Sequence, residues 1–216
     1  DGYSATHTTQ KVADVVHFSD AEFRRYLIDN FDKKNGGNND GELSSTELSN
    51  VTSISVDLSI YEVKSFSGVE LLPNLQSVSM FSYCSNGPDF DPNKPYLDLN
   101  SVPKLTQVNF SGINCTNVRF DLSKAEYLSS FSAVNSSISN IKFNPNLNLK
   151  SLTCTRGKEI AKYVKNYKNL TYLKLDGCGA GSVSIVGLHK LVTIDVKGFE
   201  KTNKNVLLTA DRIAAY

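Results

Sequence analysis

The chain has 216 residues, 40% of them hydrophobic, and 23 Lys/Arg against 22 Asp/Glu give a formal net charge of +1. That balance, with no long run of either sign, leaves no electrostatic footprint for nucleic acid or a strongly acidic membrane. No stretch approaches the roughly 20 apolar residues of a membrane span, and Cys84, Cys115, Cys154 and Cys178 are too dispersed for a zinc module or a dense disulfide framework.

In chain order, residues 1–14 read as a flexible leader, since Asp1 to Gln10 is polar and has no apolar signal-peptide core. Residues 15–50 read as a helix–loop–helix cap. Ser19 and Glu22 are spaced as a capping box, followed by Phe23, Tyr26, Leu27 and Phe31 at helical spacing. The run Asn35-Gly36-Gly37-Asn38-Asn39-Asp40-Gly41 ends that helix, and Ser44 with Glu47 opens a second one.

From residue 51 to about 200 one phrase recurs seven times, starting at Val51, Leu75, Leu105, Leu128, Leu149, Leu170 and Leu191, with spacings of 24, 30, 23, 21, 21 and 21. Each copy is apolar at its first, fourth and sixth positions, as in Leu149-x-x-Leu152-x-Cys154. This is the period and pattern of leucine-rich repeats. The predicted fold is an α/β solenoid: a curved parallel sheet on the concave face, a helical or irregular convex side, and an N-terminal helical cap. Ile160, Tyr163, Val164 and Tyr167 predict a helical crossover over 158–167, whereas Val118 to Leu122 alternates and reads as extended or a tight turn. Pro88, Pro92 and Pro95 predict an irregular insertion in the long second unit. Val206-Leu207-Leu208 and Ala210 to Ala214 make 201–216 a C-terminal cap over the open end of the stack. Cys84 and Cys115 fall at nearly matching places in adjacent units and are spaced to pair if oxidised.

The stretch from Phe18-Ser19-Asp20 through Glu47-Leu48 to Val51-Thr52-Ser53-Ile54 resembles the cap and first strand of internalin-type bacterial leucine-rich repeat proteins. Ser67-Gly68-Val69-Glu70-Leu71-Leu72-Pro73-Asn74-Leu75 is similar to the phrase that leads into each strand of that family. The resemblance spans about residues 15–200. It implies an extracytoplasmic protein, secreted or on a bacterial cell surface, that binds a protein or glycan. The chain departs from the family at the ninth repeat position, where Tyr83, Ile113, Ser136, Gly157, Cys178 and Phe199 replace the usual asparagine.

Two regions carry candidate chemistry. The cap loop sets Asn38, Asp40, Gly41, Ser44 and Glu47 at positions 3, 5, 6, 9 and 12 of an EF-hand loop, whose hard oxygens suit calcium. Asp32 and Glu42 are the further oxygens of that candidate metal set. Position 1 is Gly36, so Asp32 would serve only across a bulge; the alternative is a metal-free cap in which Glu47 completes its capping box. The second region is the concave face, where Phe81, Lys150, Tyr172, Lys174, Asp176, Asp195 and Lys197 occupy outward positions as candidate partner contacts. Exposed aromatics beside mixed charge are typical interface anchors; the alternative is a solvated sheet face.

Catalysis has little support. His7, His17 and His189 have no local nucleophile-and-base constellation, and no phosphate-cradling glycine loop is present. The sequence therefore reads as a non-enzymatic binding module without nucleic-acid partners. The competing reading is a structural or adhesive segment of a larger surface protein with no specific ligand.

Overall fold

Strands that alternate apolar and polar residues must bury one face, and a short repeat cannot do so alone. In the computed structural model the described residues are 14–82, 95–115, 119–138, 141–144, 148–155, 161–177 and 183–197. Seven strands answer the seven copies of the phrase: β1 (Ser53–Asp57), β2 (Ser77–Phe81), β4 (Gln107–Ser111), β7 (Ser130–Val134), β10 (Ser151–Thr155), β11 (Tyr172–Asp176) and β12 (Thr193–Lys197). They form one parallel sheet in the order β1-β2-β4-β7-β10-β11-β12. The protein is a leucine-rich-repeat β-solenoid with a short helical N-terminus.

Register is uniform along the stack: Ser53, Ser77, Gln107, Ser130, Ser151, Tyr172 and Thr193 lie in one row. Two residues before each in-register position, the inward side chains stack in the same way. All repeat positions one, four and six from Val51 to Leu175 are buried. A further lock lies just ahead of each strand. The Thr52 carbonyl accepts from the Gln76 and Ser77 N–H groups at 2.8 and 3.2 Å, and Gln76, Thr106, Ser129, Lys150 and Thr171 repeat the arrangement one rung on. Strands then leave the sheet through a left-handed residue at the eighth repeat position: Ser82, Gly112, Asn135 and Gly177 have φ of 74°, 68°, 50° and 60°.

The return side differs from the expected helical or irregular convex surface. Short strands β3 (Leu97–Asp98), β6 (Phe120–Leu122) and β9 (Ile141–Phe143) make a second parallel sheet, and β5 (Asn114–Cys115) pairs with β8 (Ser137–Ile138). Val118 to Leu122 thus resolves into an extended segment at its described end. Of the crossover predicted as helix, residues 161–167 are described: Ala161 is helical, and a 3-10 turn, Val164–Asn166, follows and closes on Tyr167. Tyr163 and Tyr167 flank that turn.

Aspartates tie down the turns at strand ends in both sheets. The Asp57, Asp98 and Asp121 carboxylates accept from the N–H two residues on, at 2.9, 2.9 and 3.1 Å. Burial alone would raise the Asp121 carboxyl, but hydrogen bonds from Ser123 and Asn100, with Lys142 nearby, hold it below the usual carboxylate range. At the ninth position, buried Ser136 stands in for asparagine: its hydroxyl accepts from the Ile113 N–H at 3.2 Å and donates to the Val134 carbonyl at 2.9 Å. Between the two sheets an aromatic column runs through Phe23, Phe66, Tyr96, Phe120, Phe110, Phe131, Phe143 and Tyr167, with successive centroids 4.9–6.1 Å apart. Most contacts are edge-to-face, which adds about 0.5–1.5 kcal/mol per pair beyond burial.

The cap consists of α1 (Ala21–Leu27), continued by a π turn over Ile28–Asp32, and α2 (Ser45–Ser49). The N-cap of α1 is Asp20, not the Ser19 expected from spacing. One Asp20 oxygen accepts from the Glu22 and Phe23 N–H groups, and the other from Lys64 and Ser65, each of the latter at 2.9 Å. A serine hydroxyl could not serve both the helix and the first repeat. Gly68, at φ 104°, admits the Phe18 ring, whose Cδ1 would lie 2.4 Å from a Cβ at that position. Tyr26 seals the first sheet edge: its hydroxyl accepts from the Ser55 N–H at 2.7 Å. Of the leader, Val15 forms an antiparallel bridge with Ser44. At the far end Leu191 and Val196 are only partly covered and Ile194 is 45% exposed. The predicted C-terminal cap, most of the proline-rich insertion and the Cys84–Cys115 pairing fall outside the described residues or side chains.

Two stability outcomes follow from this packing. Leu170→Ala should cost about 2–5 kcal/mol, the range for truncating a buried leucine, whereas Lys150→Ala on the exposed side should barely move the urea midpoint. A carboxyl whose folded value is depressed stabilises the protein above its unfolded value, and that contribution is lost as pH falls through the folded one. The urea midpoint should therefore drop as pH falls below about 4, and Asp121→Asn should flatten that part of the profile.

Candidate functional site

The outer face of the main sheet carries the side chains that the core does not use. From β1 to β10 its two central rows are uncharged: Ser53, Ser77, Gln107, Ser130 and Ser151, then Ser55, Ser79, Asn109, Ser132 and Thr153. The last two strands change character. On β11 the outward positions are Tyr172, Lys174 and Asp176, and register sets them beside Thr193, Asp195 and Lys197 of β12. Lys174 Nζ lies 3.5 Å from Asp195 Oδ2, with the two side chains 42% and 29% exposed. Such an exposed pair contributes little stability, because screening and lost side-chain freedom offset the attraction.

Of the seven residues expected at a partner site, the fold therefore brings five onto adjoining rungs: Tyr172, Lys174, Asp176, Asp195 and Lys197. For Lys197 this placement is one of backbone register. Lys150 stands just before β10, exposed, with its carbonyl accepting from Thr171 and Tyr172. Phe81 does not join them. It ends β2, four strand spacings from β11, or roughly 19 Å at about 4.8 Å per strand.

Phe81 has a different neighbour, which the sequence reading missed. Register links Phe81 to Ser111 and Ser111 to Val134, and both Phe81 and Val134 are 38% exposed. Val134 occupies the same seventh repeat position as Phe81, so aligning the repeats through that position would have found it.

In the cap loop the acidic side chains are engaged by the backbone. Asp32 is fully buried; its two oxygens accept from the Asp40 and Gly41 N–H groups at 3.1 and 2.9 Å. Glu47 accepts from the Asn38 N–H with one oxygen and from the Ser44 N–H and hydroxyl with the other, at 3.2, 2.8 and 2.8 Å. Asp40 accepts from the Asn38 amide and the Glu42 N–H, while Glu42 pairs with Arg24 at 2.7 Å. Gly37 lets the loop fold back onto Asp32, whose carbonyl would lie 2.1 Å from a Cβ there. Among the described residues no three His, Cys, Asp or Glu side chains converge as a metal site. An ion at this loop would have to share or displace the hydrogen bonds by which Asp32, Asp40 and Glu47 close it.

Cys154 is buried on the inner side of β10. No helix among the described residues is long and apolar enough to cross a membrane.

No protein-family model matches the sequence, and no curated protein matches it. Among solved structures, the crystal structure of an internalin C2 from Listeria monocytogenes is similar, with 13% identity over 89% of this chain and 91% of that one and a TM-score of 0.43. At that identity and score the likeness carries nothing about ligand or location.

Removing the Asp32 carboxylate takes the partner of the Gly41 N–H and leaves the Asp40 N–H with Asn38 Oδ1 alone, each lost bond contributing about 0.5–1.5 kcal/mol. Asp32→Ala should therefore lower the melting temperature in chelator-containing buffer. Wild-type protein should melt alike in chelator and in calcium. A calcium-dependent rise that Asp40→Ala abolishes would instead show the loop re-forming around the ion.

Proposed function

We propose that this solenoid is an extracytoplasmic, non-enzymatic binding module that holds a macromolecular partner on the outer face of its main sheet. The observation that carries this reading is the clustering of Tyr172, Lys174, Asp176 and Asp195 on two adjoining strands, beside five strands whose central outward residues are uncharged. Tyrosine contributes a large rigid contact area at low entropic cost, and charge around it selects orientation more than it supplies affinity. The fold supports a surface function: the apolar side chains fill the space between the sheets, and the outward positions are free of packing duty. The resemblance of the cap and linking phrase to internalin-type proteins supports a protein or glycan partner outside the cytoplasm.

Capture from cell-envelope or host-surface extracts, followed by affinity measurement on the captured molecule, tests the reading. Tyr172→Ala should weaken binding by more than about 1 kcal/mol, while Ser130→Ala leaves it unchanged. Capture that is indifferent to Tyr172, with hydrogen-exchange protection on the return side, would place recognition elsewhere. No capture at all would favour a structural segment without a specific ligand.

A further inference from the structure

The four charged positions of β11 and β12 alternate in sign in both directions. Across the strands, Lys174 faces Asp195 and Asp176 faces Lys197. Along each strand the sign also changes, from Lys174 to Asp176 and from Asp195 to Lys197. The cell of this pattern is about 4.8 Å between strands and about 6.6 Å along them. Lys174 and Asp195 are in contact at 3.5 Å and both are partly exposed.

A square of alternating charges is complementary to a copy of itself. We propose that β11 and β12 dock face to face on the same two strands of a second copy of this chain, about a two-fold axis that runs along the strands midway between them. This rests on the reading of the outer face as a binding surface and names its partner. The axis sets Lys174 over the second copy's Asp195, and by backbone register alone it sets position 176 over the second copy's position 197. It also sets Tyr172 over the second copy's Thr193, and Val192, 85% exposed, over the second copy's Thr171. Such a contact is isologous, so each pair occurs twice.

The same charges exclude the neighbouring registers. An axis centred on β11 places Lys174 on Lys174 and Asp176 on Asp176, and an axis centred on β12 places Asp195 on Asp195. Like charges in direct opposition disfavour those registers. The two rows that carry these charges hold no charged residue from β2 to β10, and on β1 hold Asp57. Because the axis lies at the last two strands, the earlier strands of the second copy pass beyond β12 rather than over the first copy's sheet.

Two five-residue strands form a patch well below the roughly 800 Å² per partner of a stable complex, so the association is of the weak class. Sedimentation equilibrium of the full chain from about 10 μM to about 1 mM, at about 0.05 M salt to limit screening, reads it directly. Wild type should dimerise reversibly and dissociate in about 1 M salt, where the screening length falls to about 3 Å. Lys174→Glu alone and Asp195→Lys alone should each weaken self-association by about tenfold or more, because each faces like charge on its own copy. Mixing the two variants in equal amounts should restore association, since each acidic position then meets a basic one across the axis.

The mixing experiment separates intermolecular pairing from any change within a chain, because each variant carries the same internal substitution alone and mixed. Unfolding midpoints near that of wild type confirm that both variants fold. A monomer at the highest concentration overturns the inference, as does a dimer indifferent to the single reversals or a mixture no better than its components. If all samples are monomeric while Tyr172→Ala still abolishes capture of a foreign partner, the second copy is excluded and the binding surface stands.

Discussion

In-register stacking of parallel strands is the constraint on which this structure depends. Each rung buries Leu, Val, Ile or Phe only against the rung before and the rung after. A one-residue slip would turn every inward side chain to solvent. The protein therefore fixes register more than once per repeat. The carbonyl ahead of each strand accepts two consecutive N–H groups from the next repeat, and the exit residue adopts a left-handed φ at the same repeat position. Serine at position 136 performs the linking role of the asparagine expected in such repeats, with a single hydroxyl that accepts from one turn and donates within its own.

A stack of this kind has two ends, and the first is closed by the cap. Tyr26 satisfies an edge N–H of β1 with its hydroxyl, while burial keeps that phenol protonated by raising it above its ordinary value. Asp20 ties the helix start to residues 64 and 65. The aromatic column begins in α1 at Phe23 and passes through both sheets to Tyr167, so the cap is the first layer of the core rather than an appendage. The same economy explains the cap loop. Its carboxylates satisfy backbone donors in a seven-residue turn rich in glycine and asparagine, where sheet or helix partners are absent.

With the core confined between the sheets, the outer face is relieved of packing and free to vary from rung to rung. The row that begins at Ser55 is neutral over five strands and charged over the last two. The difference is one of composition alone, since backbone spacing is the same throughout. Tyr172 and its charged neighbours thus stand apart from Phe81 and Val134 farther along the sheet.

The repeat count, the inward positions, the capping box at Ser44 and Glu47, and the solenoid class were all legible in the sequence, because apolar periodicity and local hydrogen bonding depend on near neighbours in the chain. The register that groups Tyr172, Lys174, Asp176 and Asp195 was legible for the same reason, whereas Val134 was overlooked beside it. Three features required the tertiary structure. Asp20 replaces Ser19 as the helix cap because its second oxygen serves residues 44 positions or more away. The return side forms a second sheet because Leu97, Phe120 and Ile141 meet only once the repeats are stacked. Asp32 and Glu47 accept from backbone donors of the loop, an arrangement set by its folded path. Sequence determines what repeats; contacts between residues distant in the chain decide which groups each repeat must satisfy.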